Sequence, residues 1–368
     1  MQISRVVAAV AGAAAVFCVI VLPADAESQS ARPSPVPITQ TLGQLGDRAG
    51  IFVGTAVDMT ALDNEPTYRA RVASEFSSVT PENVMKWQLV EPTRGVLDFA
   101  AADELVSFAQ ANHQRVRGHT LVWHNQLPTW LTTGVANGSI TPDQLRDILH
   151  QHITDEVGHF KGKVAQWDVV NEALNEDGTL RSTIWLQQLG PGYIADAFRW
   201  AHQADPRAKL FYNDFNLEGL SAKSNAAFAL VQDLRSQGVH VDGVGIQGHL
   251  AVQFPAPGNI QENMKRFSDA GLLTELTEAD ARMVLPADAT KLDAAAEAYR
   301  VMLDACLLTR HCGGLTVWGF TDLHSWVPGV FSGQGAADVL DANFQPKPSY
   351  NALRTDLVLA ARSREDDD

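Results

Sequence analysis

Short apolar runs rich in β-branched residues alternate with longer amphipathic stretches along most of the chain. The short runs are typical of buried strands, and the longer ones, in which apolar residues recur every three or four positions, are typical of helices. Eight strands are predicted at 51–58, 77–83, 115–123, 164–172, 209–214, 243–248, 272–280 and 315–320. Helices are predicted between them at 98–111, 142–160, 192–204, 222–237, 258–270 and 290–308. This alternation predicts an α/β fold, a single (β/α)8 TIM barrel, rather than an open sheet.

Polar and aromatic side chains collect where the predicted strands end. The candidates are, in chain order, Glu82, Asn83, His119, Trp123, Asn171, Glu172, Asn213, Asp214, Gln247, His249, Glu278, Asp280 and Trp318. Packing alone would place apolar or turn residues at most of these positions. Because the carboxyl ends of barrel strands meet on one face, where barrel enzymes carry their active sites, we predict one concave polar site lined by aromatic rings.

The residues of that face favour carbohydrate chemistry. The net charge of −15 argues against binding to nucleic acid. No nucleotide-binding glycine motif follows a strand, and the histidines fit no metal-binding spacing. We therefore expect no cofactor and no metal, with metal-dependent hydrolysis as the alternative. Two glutamates at strand ends can act as acid and nucleophile on a glycosidic bond, while indole rings stack on the C–H faces of sugars.

The N-terminus has the pattern of a signal peptide that ends at residue 26. Arg5 precedes an apolar run, and Ala24-Asp25-Ala26 supplies small residues at the spacing of a cleavage site. A membrane anchor is the alternative, but the run is short for a membrane span. We expect a secreted protein with no membrane contact after cleavage and with a Pro- and Ser-rich linker at 27–40.

Two cysteines, Cys306 and Cys312, remain after the signal peptide. In an oxidising compartment they can form a disulfide that closes a short loop, which would contribute roughly 2 kcal/mol. Two buried free thiols are the alternative. Half of a metal site would need further Cys or His ligands at a recognisable spacing, and the sequence offers none.

Six motifs follow the order and spacing of one known family. They are TPENVMKW (80–87), RGHTLVWHNQLPTW (117–130), WDVVNEALNEDG (167–178), YNDFN (212–216), GVGIQGHL (243–250) and TVWGFTDLHSW (316–326). On these motifs the chain resembles glycoside hydrolase family ten, the retaining endo-β-1,4-xylanases, especially the secreted bacterial ones, over about residues 41–355. We place the catalytic barrel at 41–361 and expect an acidic disordered tail at 362–368 and a monomeric protein.

The resemblance implies a role for each matched residue. Glu172 of WDVVNE matches the family's acid/base, and Asn171 matches the amide that holds the 2-hydroxyl of the reacting sugar. The positions that match substrate-binding residues are Glu82, Asn83, Lys86, His119, Trp123, Gln126, Tyr212, Gln247, Trp318 and Trp326. His249 matches a histidine that bridges the nucleophile and the aspartate two residues beyond it, here Asp280. Packing in the barrel is the structural alternative for Trp123, and a surface cation is the alternative for Lys86.

The strand of the nucleophile contains Thr-Glu twice, in GLLTELTEADARM (271–283). Gly271 before it and ARM after it place Glu278, rather than Glu275, at the end of the strand. Residues three apart on a regular strand point to opposite faces, so both glutamates cannot face the barrel interior. We therefore expect Glu278 to be the nucleophile, kept ionised by His249. Glu275 is expected to face the helices, where it needs an Arg or Lys partner or exposure.

The sequence thus predicts a secreted, retaining endo-β-1,4-xylanase that binds xylan or xylo-oligosaccharides. One rival function is the same barrel acting on another β-glycoside, such as an aryl cellobioside or a saponin. Another is a non-catalytic xylan-binding protein in which the altered seventh strand has lost turnover. Both carboxylates are present, which favours the enzyme.

Overall fold

The computed structural model describes residues 40–367, with side chains through residue 365. The predicted signal peptide and residues 27–39 of the predicted linker lie outside the described residues. The strands are β1 Phe52–Val57, β2 Ser78–Pro81, β3 Arg115–Gly118, β4 Gln166–Asn171, β5 Lys209–Asp214, β6 Gly243–Ile246, β7 His249–Ala251, β8 Leu273–Val284, β9 Cys312–Val317 and β10 Gln334–Gly335.

The helices surround these strands. They are α1 Leu42–Ala49, α2 Met59–Asn64, α3 Pro66–Glu75, α4 Trp87–Val90, α5 Ala100–Ala111, α6 Thr129–Ala136, α7 Pro142–His159, α8 Ile184–Leu189, α9 Tyr193–Ala204, α10 Ala222–Ser236, α11 Ile260–Asp269, α12 Ala289–Leu307, α13 Val327–Val330 and α14 Pro348–Asp367, with a 3₁₀ turn at Asp322–His324. In the described part of the chain, none of these helices has the length and apolar character needed to cross a membrane.

Eight of the strands close into the predicted parallel barrel. β1, β2, β3, β4, β5, β6, β8 and β9 pair in this order, and β9 returns to β1, with Gly314 opposite Phe52. β7 and β10 pair with β8 near its C-terminal end. The six helices predicted from the sequence are all present, within two residues at either end. The third predicted strand is too long, because regular pairing of β3 ends at Gly118.

Local capping signals explain where two of the long helices begin. Thr141 Oγ1 accepts a hydrogen bond from Gln144 N at 3.3 Å, and Thr141 N donates to the Gln144 side chain at 2.9 Å, which is a capping box. Pro142 then occupies the first helical position, where no N–H is needed. Ser221 starts α10 by accepting from Ser224 N at 3.0 Å. Each such cap contributes about 1 kcal/mol and fixes the point at which the chain enters the helix layer.

Two sequence predictions concern the C-terminal part of the barrel. Cys306 of α12 and Cys312 of β9 form the predicted disulfide, with Cα atoms 5.3 Å apart. The prediction of a disordered tail at 362–368 is wrong for the described residues, because α14 continues to Asp367. Glu365 forms an ion pair with Arg48 of α1, which joins the end of α14 to the first helix.

A bulge in β8 changes which of its side chains face the barrel interior. Leu276 pairs with Leu315 and Ala279 pairs with Val317, so three steps along β8 match two along β9. Thr277 and Glu278 both point inward, since Thr277 Oγ1 donates to Asn213 Oδ1 and Asn213 Nδ2 donates to Glu278 Oε1, each at 2.7 Å. Glu275, two residues before Thr277, shares this interior face. The prediction that Glu275 faces the helices is wrong, because the rule of alternating faces fails across a bulge.

Glu275 is buried at 2% exposure and pairs with an arginine, the kind of partner its charge requires. Its Oε2 accepts a hydrogen bond from Gln166 Nε2 and lies 3.7 Å from Arg117 Nε. Arg117 in turn binds Asp168 with both terminal nitrogens. A Cβ atom at Gly313 would lie only 2.6 Å from Glu275 Oε1, so glycine at this position leaves room for the carboxyl group.

Glu275→Gln is expected to stabilise the protein at neutral and alkaline pH. Burial raises the pKa of Glu275 from 4.5 to about 7, although Arg117 and Gln166 lower it in part. Between these two pH values the folded state binds more protons than the unfolded state, so the free energy of unfolding falls as pH rises. Glutamine mimics the protonated form and escapes this loss. Relative to the original protein, the variant should gain roughly 3 kcal/mol between pH 4 and pH 8, measured by urea denaturation.

The matched control is Glu262→Gln, the same change at an exposed position of α11. Its difference in unfolding free energy from the original protein should stay constant over the same pH range. The same constancy for Glu275→Gln would contradict an interior carboxyl group at position 275.

Candidate active site

A cleft of 550 Å³ opens where the barrel strands end. Thirteen of the residues predicted from the sequence line it: Glu82, Asn83, Lys86, His119, Trp123, Gln126, Asn171, Glu172, Gln247, His249, Glu278, Trp318 and Trp326. They come from β2, β3, β4, β6, β7, β8 and β9 or from the segments directly after them. The closed barrel therefore brings together side chains that lie far apart in the sequence.

Glu278 is held by hydrogen bonds on both sides of its carboxylate. Its Oε2 lies 3.1 Å from His249 Nε2, and its Oε1 accepts from Asn213 Nδ2. His249 Nδ1 lies 2.7 Å from Asp280 Oδ2, which also accepts from Trp326 Nε1 at 2.9 Å. Histidine, aspartate and tryptophan therefore fix the orientation of the Glu278 side chain.

These contacts determine the ionisation of Glu278 and His249. Burial alone would raise the pKa of Glu278, but the hydrogen bond from His249 and the nearby positive charges of His119, His249 and Arg117 lower it to about 2. Burial alone would lower the pKa of His249, but Asp280 and Glu278 raise it to about 10. At neutral pH the group therefore contains an imidazolium between two carboxylates, and Glu278 is ionised as the sequence interpretation requires.

Glu172 follows β4 in a left-handed backbone conformation, with a φ angle of 58°. Two other cleft residues, Gln126 and Asn216, have similar φ angles of 47° and 55°. Such a conformation costs on the order of 1–3 kcal/mol for residues other than glycine. It is held at Glu172 by hydrogen bonds at 2.9 Å from its N–H to Asn213 O and from Arg181 Nε to its carbonyl oxygen. Three of the six such residues in the described chain line this one cleft, which points to a functional site.

The Glu172 carboxyl group belongs to a cluster of amides. Gln247 Nε2 donates to Glu172 Oε1 at 3.2 Å. The side-chain amides of Asn171 and Asn213 lie 2.8 Å apart, and Asn213 reaches Glu278. Amides from β4, β5 and the end of β6 thus connect the surroundings of the two glutamates, and they offer donors and acceptors to a polyhydroxylated ligand.

Another wall of the cleft carries Glu82, Asn83 and Lys86. Lys86 Nζ and Gln126 Nε2 both donate to Asn83 Oδ1 at 3.2 Å, and Lys86 Nζ lies 5.0 Å from the centroid of the Trp123 ring. Burial raises the pKa of Glu82. Burial also lowers the pKa of Lys86, although the negative charge of Glu278 raises it in part. This wall presents closely spaced hydrogen-bonding groups, which suit the hydroxyls of a sugar.

Two predicted site residues do not line the cleft. Asp280 is fully buried behind His249 and acts on the cleft only through that side chain and Trp326. Tyr212 is fully buried, and its hydroxyl donates to Asp214 at 2.5 Å. The prediction that Tyr212 binds substrate is wrong for this geometry, because its neighbour Asn213 takes the inward position on β5 and Tyr212 takes the opposite face.

The cleft also contains residues that sequence reasoning did not select. They are Asn125, Phe215, Asn216, Arg282, Val330 and Phe331. The first four lie in or next to the quoted motifs, so the motifs themselves were the available signal. Val330 ends the short helix α13 and Phe331 follows it, in the connection after β9, where no strand pattern predicts which side chains reach the cleft.

One group in residues 40–367 has the spacing of a metal site. Ligand atoms of His119, Asp168 and Glu278 all lie within 4.8 Å of one another. Both oxygens of Asp168 already accept from Arg117, and Oδ2 also lies 2.8 Å from His119 Nδ1. The spacing is therefore accounted for by an ion-pair network, which gives these residues a structural explanation without a metal.

The fold and the site together define a class of protein. A (β/α)8 barrel with one glutamate after β4, one on β8 and tryptophan side chains around them is a glycoside hydrolase. The sequence profile described as Glycosyl hydrolase family 10 matches residues 41–356. The chain belongs to glycosyl hydrolase family 10.

Individual relatives agree with this assignment. An endo-1,4-beta-xylanase of Agaricus bisporus is 43% identical over 315 residues, covering 85% of this chain and 93% of that protein. Xylanase 10B from Thermotoga petrophila RKU-1, solved in complex with xylobiose, is 40% identical with a TM-score of 0.83, covering 87% of this chain and 98% of that one. A mutant of TsXylA, an intracellular xylanase from Thermoanaerobacterium saccharolyticum solved with xylotetraose, is 33% identical with a TM-score of 0.79, covering 85% and 98%.

Asp280→Asn is expected to lower the pKa of His249. Burial alone lowers this pKa, and the charge of Asp280 is the largest of the contributions that raise it to about 10, so its loss leaves burial less opposed. The expected fall is about one pH unit or more, measured by NMR titration of the His249 ring. Asp143→Asn, at an exposed position of α7, is the control and should leave the pKa of His249 in place; an unchanged pKa in Asp280→Asn would refute the coupling.

Proposed function

We propose that the protein is a retaining endo-1,4-β-xylanase, which cleaves internal β-1,4-xylosidic bonds of xylan. The observation that carries this proposal is the hydrogen-bonded group of Glu278, His249 and Asp280 in one cleft with Glu172. The cleft therefore contains one carboxylate that is ionised at neutral pH, Glu278, and a second carboxyl group, Glu172. A double displacement needs both, with their carboxyl groups about 5–5.5 Å apart.

In the first step, Glu278 attacks C1 of the sugar while Glu172 protonates the leaving oxygen. The C1–O bond to the leaving sugar breaks as a bond from C1 to the Glu278 carboxylate forms. In the second step, Glu172 takes a proton from water, the water oxygen attacks C1, and Glu278 is released as a carboxylate. After the first step Glu172 has given up its proton, and by microscopic reversibility this carboxylate is the base of the second step. The same residue can therefore act first as acid and then as base.

The remaining cleft residues are proposed to hold the polysaccharide. Asn171 and Gln247 lie beside the Glu172 carboxyl group, where they can bind hydroxyls of the reacting sugar. A second group can bind and stack on the next sugars: Glu82, Asn83, Lys86, His119, Trp123, Gln126, Trp318 and Trp326. The Trp318 ring packs on its edge against His119, with centroids 5.0 Å apart, which supports a fixed aromatic wall.

The choice of xylan is supported by the relatives. The curated proteins with 40–43% identity are named endo-1,4-beta-xylanases, and two solved relatives hold xylobiose and xylotetraose. Twelve of the thirteen cleft residues, all but Glu278, lie in the six sequence motifs that carry the resemblance. The site is therefore proposed to bind xylan or xylo-oligosaccharides.

We also propose that the protein is secreted, after cleavage of the N-terminal signal peptide, and works as a monomer with no nucleic-acid or membrane partner. The Cys306–Cys312 disulfide supports an oxidising compartment. The sequence resemblance points to secreted bacterial enzymes. The relatives include a xylanase of the fungus Agaricus bisporus as well as xylanases of bacteria. In this proposal the catalytic barrel occupies 41–361.

Glu278→Ala should reduce turnover of an aryl xylobioside by at least about 10⁴-fold, because no nucleophile remains to form the intermediate. Added azide should restore activity and give a glycosyl azide of inverted configuration, identified by NMR, since the small anion takes the place of the carboxylate. Glu275→Gln is the matched control and should retain turnover without azide. Loss of turnover in Glu275→Gln together with normal turnover in Glu278→Ala would show that Glu275, and not Glu278, is the nucleophile.

Xylan should be cleaved much faster than cellulose. Because internal bonds are attacked, a mixture of xylo-oligosaccharides should form early in the reaction. Reducing-sugar release followed by product sizing measures both properties. Comparable release from cellulose or an aryl cellobioside would favour a different β-glycoside as substrate. Retention of xylan on the protein without any release of sugar would favour a binding protein.

A further inference from the structure

Arg282 lies where the cleft meets a second cavity. It is on β8, two residues after Asp280, and its side chain is half-buried. The second cavity has a volume of 510 Å³ and shares Asn216, His249 and Arg282 with the cleft. A group attached to a sugar in the cleft could therefore extend past Arg282 into this cavity.

The charge of Arg282 has no counter-ion among the side chains that the structure describes. Among residues 40–365, no carboxylate oxygen lies within 4.0 Å of its nitrogens. Its guanidinium stacks 4.1 Å above the Phe331 ring, and Nη1 donates only a long hydrogen bond, 3.4 Å, to Leu250 O. The buried Nε has no partner among the described atoms. A planar cation that is partly removed from water and still has free donors is suited to bind a carboxylate from outside.

The other basic side chain of the second cavity is already engaged. His249 contacts Glu278 and Asp280 at 3.1 and 2.7 Å. Lys86 lines the cleft but not the second cavity, and its Nζ donates to Asn83 Oδ1 at 3.2 Å. Among the described residues of the second cavity, Arg282 is therefore the cation available to an anionic ligand.

The acidic residues of the second cavity have partners of their own. Glu218 is 4% exposed and accepts from Gly248 N at 2.9 Å, and burial raises the pKa of its carboxyl group. Glu297 is largely exposed and lies 3.5 Å from Arg300. The rest of the lining includes the small apolar side chains of Ala251, Ala294 and Ala298, which suit the C–H face of a sugar ring. The cavity thus combines one free cation with an apolar wall.

We propose that Arg282 binds the carboxylate of a uronic-acid branch on the xylan chain, with the branch in the second cavity. The inference rests on the proposed function, because the branch must be attached to a sugar in the cleft. A sugar acid fits better than a neutral branch, since a neutral hydroxyl would leave the Arg282 charge uncompensated. Phe331 holds the guanidinium plane, so the two parallel hydrogen bonds of an arginine–carboxylate pair can form without ordering a flexible side chain.

The test compares two polymers that differ only in the charge of the branch. One is xylan with glucuronic-acid branches, and the other is the same preparation after its carboxyl groups have been reduced to alcohols. For each protein the readout is the ratio of kcat/KM on the acidic polymer to kcat/KM on the reduced polymer. Partial unfolding lowers both rates equally, so it cancels in the ratio.

Arg282→Gln is expected to lower this ratio about tenfold, as loss of one charge-assisted pair does. Arg282→Lys keeps the charge but loses the planar pair of donors, so its ratio should fall between those of the original protein and Arg282→Gln. Arg362→Gln makes the same charge change at an exposed position of α14 and should keep the original ratio. Added salt should lower the ratio of the original protein toward that of Arg282→Gln.

An unchanged ratio in Arg282→Gln would overturn the proposal, and so would an equal fall in Arg362→Gln, which would indicate a general charge effect. These results differ from failure of the proposed function, in which the original protein would cleave neither polymer. Cleavage of both polymers with the same ratio in every variant refutes the role of Arg282 and leaves the xylanase function standing.

Discussion

The buried ion pair between Arg117 and Asp168 is the constraint on which the barrel and its site depend. Both side chains are at most 1% exposed, and an unpaired charge at this depth would cost several kcal/mol. The pair can form only if β3 and β4 are in register and the interior leaves space for a guanidinium. Gly245 on β6 contributes to that space, because a Cβ atom there would lie 2.2 Å from Asn213 Oδ1 and 3.1 Å from Arg117 Nη2. One interaction therefore couples the alignment of three strands.

The ion pair also connects the barrel interior to the cleft. Asp168 positions His119 through a contact of 2.8 Å, and the positive charges of His119 and Arg117 help to lower the pKa of Glu278. On the other side, His249 and Asp280 act on the same carboxylate. The ionisation of the proposed nucleophile is therefore set from two directions: from the buried core of the barrel and from the rim of the cleft. A catalytic group supported in this way depends on the fold as much as on its neighbours in the cleft.

The sequence predicts the fold and most of the cleft for a physical reason. Strand and helix periods identify the barrel, and a barrel requires strand ends to meet, so Glu172 and Glu278 fall in one cleft. The errors arise where local geometry departs from that rule. Tyr212 belongs to a matched motif, but strand alternation assigns the inward position on β5 to its neighbour Asn213. The bulge at Thr277 and Glu278 leaves no mark in the pattern of apolar residues. Phe331 reaches the cleft from a loop, for which no periodic pattern exists.

The bulge places two glutamates with opposite pKa shifts on one face of the same strand. Glu275 and Glu278 both lie on the interior face of β8, but their side chains have different neighbours. Their environments separate them: burial dominates at Glu275 and raises its pKa to about 7, whereas the hydrogen bond from His249 and nearby positive charges outweigh burial at Glu278 and lower its pKa to about 2. Across the mildly acidic range one carboxyl group is protonated and the other is ionised. The strand therefore carries two inward glutamates whose ionisation is set separately, each by its own neighbours.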